Sequence, residues 1–235
     1  MIKRLVNVFL SFIMMLFGCG PAGKIQRVEI SNGLVNTFVI GNGSKTIVML
    51  SGCATENPIE DFMPLARKLS KNFKVVVIEY FGYGASDIVF NERSSENIVG
   101  EIRETLAKLK IKPPYILMPH SISGIYSRKY AKEYPNEVEA IIGIDTSKPN
   151  AQKEFYESNE RLIKYFSEDF FPKISDKGKI TVPIFNEANM FYKNSEEFFD
   201  VKYPENLPVL SFISSESIKS TKLEKSLINL NKITD

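Results

Sequence analysis

The sequence is poor in the residues that build disulfide frameworks and metal centres. Its 235 residues include only two cysteines and one histidine, His120. A disulfide framework needs several paired cysteines, and a zinc site needs cysteine and histidine ligands at short spacing. Since neither pattern is present, we expect no disulfide framework, no metal and no other cofactor.

An excess of charge of one sign is also lacking. The chain has 30 Lys and Arg against 28 Asp and Glu, a net charge of +2, and no long basic block. Because nucleic-acid binding depends on clustered basic residues, we expect no nucleic-acid partner. A hydrophobic content of 43% is typical of a packed globular protein. We therefore expect one domain behind a leader.

The N-terminal residues are similar to a bacterial export signal. Lys3 and Arg4 precede an apolar run at 5–17, which is short for a membrane-spanning helix of about 20 residues. Leu-Phe-Gly-Cys at 16–19 resembles a lipobox, which implies lipid attachment to Cys19. An uncleaved anchor and a buried apolar helix are the alternatives. We expect residues 1–24 to be a leader and linker, and the protein to be membrane-associated and extracytoplasmic.

Between residues 46 and 144 apolar runs alternate with segments of helical periodicity. This alternation predicts an α/β fold with a mostly parallel sheet and helices on both faces. Two strands precede it, and the glycines at 41–43 predict a tight hairpin turn. Predicted strands are 27–30, 35–40, 46–50, 74–79, 115–118, 140–144 and 208–213, and predicted helices are 59–70, 95–109 and 121–134.

Aromatic residues crowd the segment from 149 to 206. A structureless loop of this length would be unusual inside a compact domain, so we expect helices here. We interpret the segment as a helical cap over the site. Its composition favours a small-molecule substrate with an apolar or aromatic group.

The most informative motif is Met-Pro-His-Ser-Ile-Ser-Gly at 118–124, between a predicted buried strand and a predicted helix. A serine on such a sharp turn stands at the carboxyl edge of the sheet, exposed to a base and a substrate. The motif resembles the nucleophile elbow of α/β-hydrolases, Gly-x-Ser-x-Gly, with Pro119 and Ser123 in place of the glycines. The alternative interpretation is an ordinary serine cap of a helix.

The resemblance to α/β-hydrolases extends from about residue 26 to residue 217. Leu-Ser-Gly-Cys at 50–53 is similar to the family's oxyanion turn, and Phe-Gly-Tyr-Gly-Ala-Ser-Asp at 81–87 to a second glycine turn. The resemblance implies an α/β-hydrolase domain over 25–235 with Ser121 as nucleophile. It also implies that the backbone N–H groups of Cys53 and Ile122 stabilise the oxyanion.

The acid of the site has two candidates. By the resemblance it follows the strand at 208–213, where Glu216 is our first choice. Asp145, at the carboxyl end of the strand at 140–144, is the alternative. Either carboxylate would orient an imidazole and stabilise its charged form. Glu216 could also be a solvated loop residue without a role.

The base is missing from the expected place. The resemblance implies a catalytic histidine near the C-terminus, after one further strand, but the sequence has only His120. Adjacent residues on a tight turn point in different directions, so His120 is a poor base for Ser121. We therefore expect the last strand, its loop and a closing helix to be missing, as in a truncated reading frame.

These observations predict a serine hydrolase that cleaves an ester, amide or similar acyl bond through an acyl-enzyme on Ser121. The activity of this chain is expected to be impaired, because the histidine is absent. The alternative is a non-catalytic, membrane-anchored binding or scaffold protein of the same fold.

Overall fold

In the part of the chain that the structure describes, seven strands form one mixed sheet. The computed structural model describes residues 22–147, 181–198 and 201–215. The predicted leader with Cys19, most of the predicted cap, Glu216 and the residues after it lie outside the described part. In chain order the elements are β1 (Lys24–Ile30), β2 (Gly33–Ile40), β3 (Thr46–Leu50), α1 (Pro58–Leu69), β4 (Lys74–Ile78), α2 (Ser95–Lys108), β5 (Tyr115–Pro119), α3 (Ser123–Glu133), a 3-10 turn (Pro135–Glu137), β6 (Val138–Ile144), α4 (Val182–Asn189), α5 (Phe191–Glu196) and β7 (Val209–Phe212).

The sheet is parallel from β4 through β3, β5 and β6 to β7. The strand order is β1-β2-β4-β3-β5-β6-β7, and among these described strands β1 and β2 are the antiparallel ones. The predicted mostly parallel sheet is therefore confirmed, and the predicted elements between residues 46 and 144 end within two residues of the observed ones. The predicted strand at 208–213 is confirmed as β7, and part of the predicted cap is helical, as α4 and α5.

The hairpin turn predicted at 41–43 is wrong. The hairpin joins β1 to β2 through a two-residue turn, since Ile30 pairs with Gly33. Because β4 lies between β2 and β3, the glycine segment crosses the edge of the sheet instead. Gly41 has a φ of +83°, and a Cβ there would lie 2.2 Å from the Phe73 carbonyl oxygen. The glycine allows this close packing against the turn before β4.

Helices cover both faces of the sheet. In β3, Ile47 and Met49 pack in the same apolar cluster as residues of α1. Val48 and Leu50 point the other way and pack with α2 and α3. Successive side chains of a strand alternate between faces, so a strand buried on both faces is apolar throughout. This is why β3 and β5 are continuous apolar runs.

Local sequence sets the helix ends. Pro58 begins α1 with its fixed φ. The Ser94 side chain accepts a hydrogen bond from the Asn97 N–H and caps α2. Both helices carry acidic residues in the first turn and basic residues in the last, which complements the helix dipole. Among the described residues, no helix has the length and hydropathy needed to span a bilayer.

Helix α5, in the segment predicted to be a cap, docks onto the start of α2 through polar contacts. The Ser95 N–H donates to the Asn194 Oδ1 at 2.8 Å, and the Asn194 side chain donates to the Arg93 carbonyl at 2.9 Å. The Arg93 side chain is itself fully buried and contacts both carboxylate oxygens of Glu101 at 2.8 Å. These contacts hold α5 against the start of α2.

Candidate active site

Ser121 stands on a sharp turn between β5 and α3. Its φ is +50°, in the left-handed region that residues other than glycine rarely adopt. Helix α3 begins two residues later, at Ser123. The N-cap position is Ile122, and no side chain caps the helix there. Ser121 is therefore outside the helix, and the interpretation of a serine cap is not supported.

Backbone hydrogen bonds from both neighbouring strands hold this turn. The His120 N–H donates to the Leu50 carbonyl at 2.9 Å, and the Ser121 N–H donates to the Ile144 carbonyl at 3.2 Å. The Ser121 carbonyl accepts from the Ser147 N–H at 2.9 Å. The turn is thus fixed between the ends of β3 and β6, where strained conformations are kept by the surrounding structure.

Close packing explains the small residues around the serine. A Cβ on Gly124 would lie 2.7 Å from the Thr146 Cβ. A Cβ on Gly52 would lie 3.1 Å from the Ser121 Cβ and 2.8 Å from the His120 Nδ1. Gly52, in the turn at 50–53, therefore lies directly against Ser121, so the two sequence motifs meet at one place.

Ser123 makes contacts that the glycine usual at this position could not make. Its hydroxyl is buried, donates to the Ser51 carbonyl, and lies 2.7 Å from the Tyr80 hydroxyl. Since the one Ser123 proton goes to Ser51, the Tyr80 hydroxyl is the donor to Ser123. The serine thus ties α3 to the end of β3.

The backbone N–H groups of Cys53 and Ile122 are free to receive a ligand. Within the described ranges, neither group donates to a protein acceptor. The next amide of the turn is different, because the Ala54 N–H donates to the Tyr83 hydroxyl at 3.3 Å. The two predicted oxyanion donors are therefore brought to the same edge as Ser121, although their role stays a prediction.

The Cys53 side chain is a poor nucleophile. Burial raises the pKa of its thiol well above the usual range, and the negative charge of Glu187 raises it further. The thiolate is the reactive form of cysteine, and it is not populated here at neutral pH.

A buried carboxylate lies near the turn that carries Cys53 and was not predicted from the sequence. Glu187 of α4 is fully buried and accepts hydrogen bonds of 2.6 Å from the hydroxyls of Tyr83 and Tyr126. Tyr83 in turn accepts from the Ala54 N–H. A hydrogen-bonded chain therefore connects the cap to the turn that carries Cys53. Its sequence signals were a lone carboxylate in an apolar helix and a tyrosine inside a glycine turn.

Glu187 makes the stability of the fold depend on pH. Desolvation raises its pKa above the ordinary value of 4.5. The folded chain therefore keeps this carboxyl protonated at pH values at which the unfolded chain has lost the proton. Stability falls as the pH rises from 4.5 to the pKa of the folded state and then levels off. Glu187→Gln removes this pH-dependent contribution to stability and keeps a hydrogen-bond acceptor.

We expect the free energy of unfolding of Glu187→Gln to increase relative to that of the parent chain as the pH rises from about 5 to about 8, because the parent alone loses this stabilisation. Urea unfolding at several pH values measures this difference. Glu60→Gln, in the exposed first turn of α1, is the matched control. A difference between parent and Glu187→Gln that does not change with pH would contradict the assignment.

Of the two acid candidates, the described part contains Asp145 alone. Asp145 follows β6, has a φ of +45°, and accepts from the hydroxyl of Ser214 at 2.9 Å. β6 lies beside β5, so this carboxylate is on the same sheet edge as Ser121. Glu216 lies outside the described residues, and its role stays a prediction.

His120 is half-buried beside the serine. Desolvation lowers the pKa of its imidazole, although the negative charges of Asp145 and Asp61 oppose this. Among the described residues, no hydrogen bond joins the imidazole to the Ser121 hydroxyl. The described part of the chain also contains no group of three or more His, Cys, Asp or Glu side chains placed to hold a metal ion.

Comparisons with known proteins give relatives of partial length. No family model matches the chain. It is 38% identical over 127 residues to the uncharacterised protein YbdG of Bacillus subtilis, covering 54% of this chain and 39% of that protein. It is 26% identical to a 1-acylglycerol-3-phosphate O-acyltransferase of Arabidopsis thaliana, covering 63% of this chain and 37% of that protein. The chain thus spans about two fifths of the length of these curated relatives.

Solved structures match over more of the chain. An epoxide hydrolase from Vigna radiata has a TM-score of 0.63 at 14% identity, covering 89% of this chain and 86% of that one. A 2-hydroxy-6-oxo-6-phenylhexa-2,4-dienoate hydrolase from a Rhodococcus strain has a TM-score of 0.55 at 16% identity, covering 82% and 81%. At these identities the similarity shows a shared fold.

Proposed function

We propose that this chain, which has the α/β-hydrolase fold, belongs to a serine hydrolase that cleaves an acyl bond through Ser121. The observation that supports this most is the φ of +50° at Ser121, on a turn from a buried strand to a helix. Such a conformation is costly for serine, and residues are held in this way mainly at functional sites. The two free N–H groups beside the turn could stabilise the negative charge that forms on the substrate oxygen when Ser121 attacks.

The proposed reaction has two steps. The Ser121 oxygen attacks the carbonyl carbon of the substrate and loses its proton to a base, while the carbonyl oxygen becomes negative between the N–H groups of Cys53 and Ile122. The tetrahedral intermediate then expels the alcohol or amine, which takes that proton, and leaves an acyl-enzyme. Water attacks the acyl carbonyl in the second step and releases the acid and free Ser121.

The proposed reaction needs a base that accepts the Ser121 proton, and the sequence offers a single histidine for this role. His120 is the one histidine in the sequence, and its imidazole packs against Gly52 without a hydrogen bond to Ser121 in the described structure. Asp145 or Glu216 would orient an imidazole that is placed opposite the serine. We therefore propose that turnover by these residues alone is impaired, and that it reflects mainly the oxyanion donors and substrate binding.

An added imidazole tests this proposal. We expect millimolar imidazole to raise hydrolysis of a p-nitrophenyl ester by the full chain by about tenfold over the chain without imidazole, because it supplies the proton acceptor that Ser121 lacks. The release of p-nitrophenol measures the rate. Free imidazole hydrolyses such esters by itself, so the rate with Ser121→Ala at the same imidazole concentration is subtracted.

His120→Gln is the matched variant, because it removes the imidazole already present beside Ser121. If His120 is not the base, this variant keeps the stimulation by imidazole. A stimulation that is equal in Ser121→Ala and in the parent chain would contradict a role for Ser121. Strong activity without imidazole that is lost in His120→Gln would show that His120 is the base.

We also propose that residues 1–24 attach the domain to the outer face of a membrane through a lipid on Cys19 or an uncleaved anchor. The Lys3 and Arg4 flank, the apolar run at 5–17 and the Leu-Phe-Gly-Cys sequence support this. For the substrate, the aromatic composition of the cap supports a small molecule with an apolar or aromatic group.

A second candidate function is a non-catalytic binding or scaffold protein of the same fold. The single histidine in the sequence favours it. In that case the elbow would be a structural feature, and the parent chain and Ser121→Ala would hydrolyse the ester equally at every imidazole concentration. The imidazole experiment therefore separates the two candidates.

A further inference from the structure

Cations that are scattered in the sequence meet at one edge of the folded sheet. Strands β3, β4 and β5 begin at this edge, and the helix α1 ends there. Lys74 is the first residue of β4, and its N–H donates to the carbonyl of Lys45, just before β3. We define the basic edge as Lys24, Lys45, Arg67, Lys68, Lys71, Lys74, Lys108, Lys110 and Lys112.

The topology explains why these residues share one edge. In a parallel sheet with helical crossovers, every helix returns the chain to the edge at which the next strand begins. Arg67 and Lys68 are in the last turn of α1, and Lys108 is in the last turn of α2. Lys24 is the first residue of β1. Strand β2 is antiparallel to both β1 and β4. Therefore β1 is parallel to β4 and starts at the same edge.

The cations of the basic edge are exposed and mostly unpaired. Eight are solvent-exposed, and Lys74 is partly buried. In the described structure, the one ion pair among them joins Lys45 to Glu139 at 2.8 Å. Neighbouring strands lie about 4.8 Å apart, so the five strands from β1 to β5 spread this charge over about 19 Å.

The helix dipole explains only some of the cations of the basic edge. Basic residues are expected at the C-terminal end of a helix, which covers Arg67, Lys68 and Lys108. The other six cations lie at strand starts or in loops. The opposite edge carries Ser121 and exposed carboxylates, including Glu56, Asp61 and Glu96. Between β1 and β5 the described charges are therefore polarised along the strands, although the net charge of the sequence is only +2.

We propose that the basic edge docks onto the surface of an anionic lipid bilayer and directs the Ser121 edge away from it. Lysines near such a surface bind to it through its negative potential, which acts over about one Debye length, about 8 Å. A row of separate cationic side chains about 19 Å wide can face several lipid headgroups at once. Ile25, beside Lys24, is 57% exposed and adds apolar surface at this edge.

The path of the chain favours a bilayer over nucleic acid. The residues before Lys24 include a basic pair and an apolar run at 5–17, and they join the domain at the basic edge itself. Lys24 lies five positions after Cys19, which allows a reach of at most about 18 Å. Proteins that bind single-stranded nucleic acid interleave aromatic residues with their cations. None of the large exposed apolar residues of the described chain that lie at this edge is aromatic.

The docking proposal does not depend on the chemistry of Ser121 and is tested separately. We measure co-sedimentation of the full chain with phosphatidylcholine vesicles with and without phosphatidylglycerol. Binding through the leader contributes to both, so the ratio of the two affinities reports the basic edge. We expect the anionic vesicles to be bound about tenfold more tightly at low salt, with the ratio falling towards one at high salt.

A pair of double variants localises the effect. Lys71→Glu with Lys112→Glu changes two exposed cations of the basic edge, and we expect the ratio to fall by about tenfold. Lys193→Glu with Lys202→Glu makes the same change in net charge on exposed residues of the cap and is expected to leave the ratio within about twofold. Circular dichroism checks that all variants are folded.

Three outcomes would overturn the docking proposal. One is a ratio near one for the parent chain at low salt. Another is an equal loss in the two double variants, which would mean that only net charge matters. The third is displacement from anionic vesicles by a short DNA duplex at equal phosphate concentration, which would assign the basic edge to nucleic acid instead.

Discussion

Replacing Ser121 with alanine is expected to abolish covalent labelling of the chain by a fluorophosphonate probe. The probe phosphorus forms a bond to a serine oxygen and loses fluoride, so it reports a reactive hydroxyl even when later steps fail. At the turn between β5 and α3 the hydroxyl stands beside two free N–H groups, which can stabilise the charge that develops on the probe oxygen. We expect labelling to fall by about a thousandfold, to background.

Two serine controls make the labelling result specific. Ser44→Ala removes an exposed serine at the far edge of the sheet and should leave labelling unchanged. Ser123→Ala removes the hydroxyl that ties α3 to Ser51 but leaves Ser121 in place. We expect this second variant to be labelled more slowly, by about tenfold, because a misplaced oxyanion donor weakens the stabilisation. In-gel fluorescence measures each rate.

Labelling that persists in Ser121→Ala would place the reactive group elsewhere, and the hydrolase proposal would then lose its main support. No labelling of the parent chain at any probe concentration would favour the binding or scaffold alternative. Mass spectrometry of the labelled peptide separates Ser121 from Ser123, which lies two positions away.

The fold was predictable because its signals are local and repeated. The continuous apolar runs at β3, β4 and β5 show burial on both faces, and the helical periodicity between them predicts crossovers. The elbow was predictable for the same reason, since a serine among small residues between a buried strand and a helix is a short motif.

Features that depend on the order of strands in space were not predictable from local signals. The turn at 41–43 has hairpin composition, but β4 occupies the position next to β2. Likewise, the charges show no block along the chain, yet the crossovers collect nine cations at the edge where the strands begin. Neither result can be read from neighbouring residues.

The contacts beneath the site also escaped sequence reasoning, because they join distant segments. Glu187 and Tyr83 are separated by 104 positions, and Tyr126 lies in a third segment. Each residue has an ordinary interpretation by itself, as a surface glutamate or a core tyrosine. Only the docking of α4 over the 81–87 turn shows that they form one network with the turn that carries Cys53.

The buried ion pair of Arg93 and Glu101 joins residues eight positions apart, next to the Arg93 carbonyl that accepts from Asn194 of α5. The Arg93 side chain has no exposed surface, and that of Glu101 is 8% exposed. Within the described structure, the Nε and Nη2 of Arg93 have no hydrogen-bond partner. Desolvation therefore opposes the pair, and Glu101 is its main compensation, with a smaller contribution from the negative charge of Glu187.

We expect Glu101→Ala to lower the free energy of unfolding by about 3 to 5 kcal/mol, because it leaves a buried guanidinium without its carboxylate. Such a loss is a large part of the total stability of a typical domain, about 5 to 15 kcal/mol. Urea unfolding followed by circular dichroism measures it, with Glu60→Ala in the exposed first turn of α1 as the control.

Replacing both partners, as Arg93→Met with Glu101→Leu, should recover most of the loss, because apolar residues need no compensating charge. A double variant as unstable as Glu101→Ala, or a single variant that loses less than about 1 kcal/mol, would show that the pair does not carry this stability.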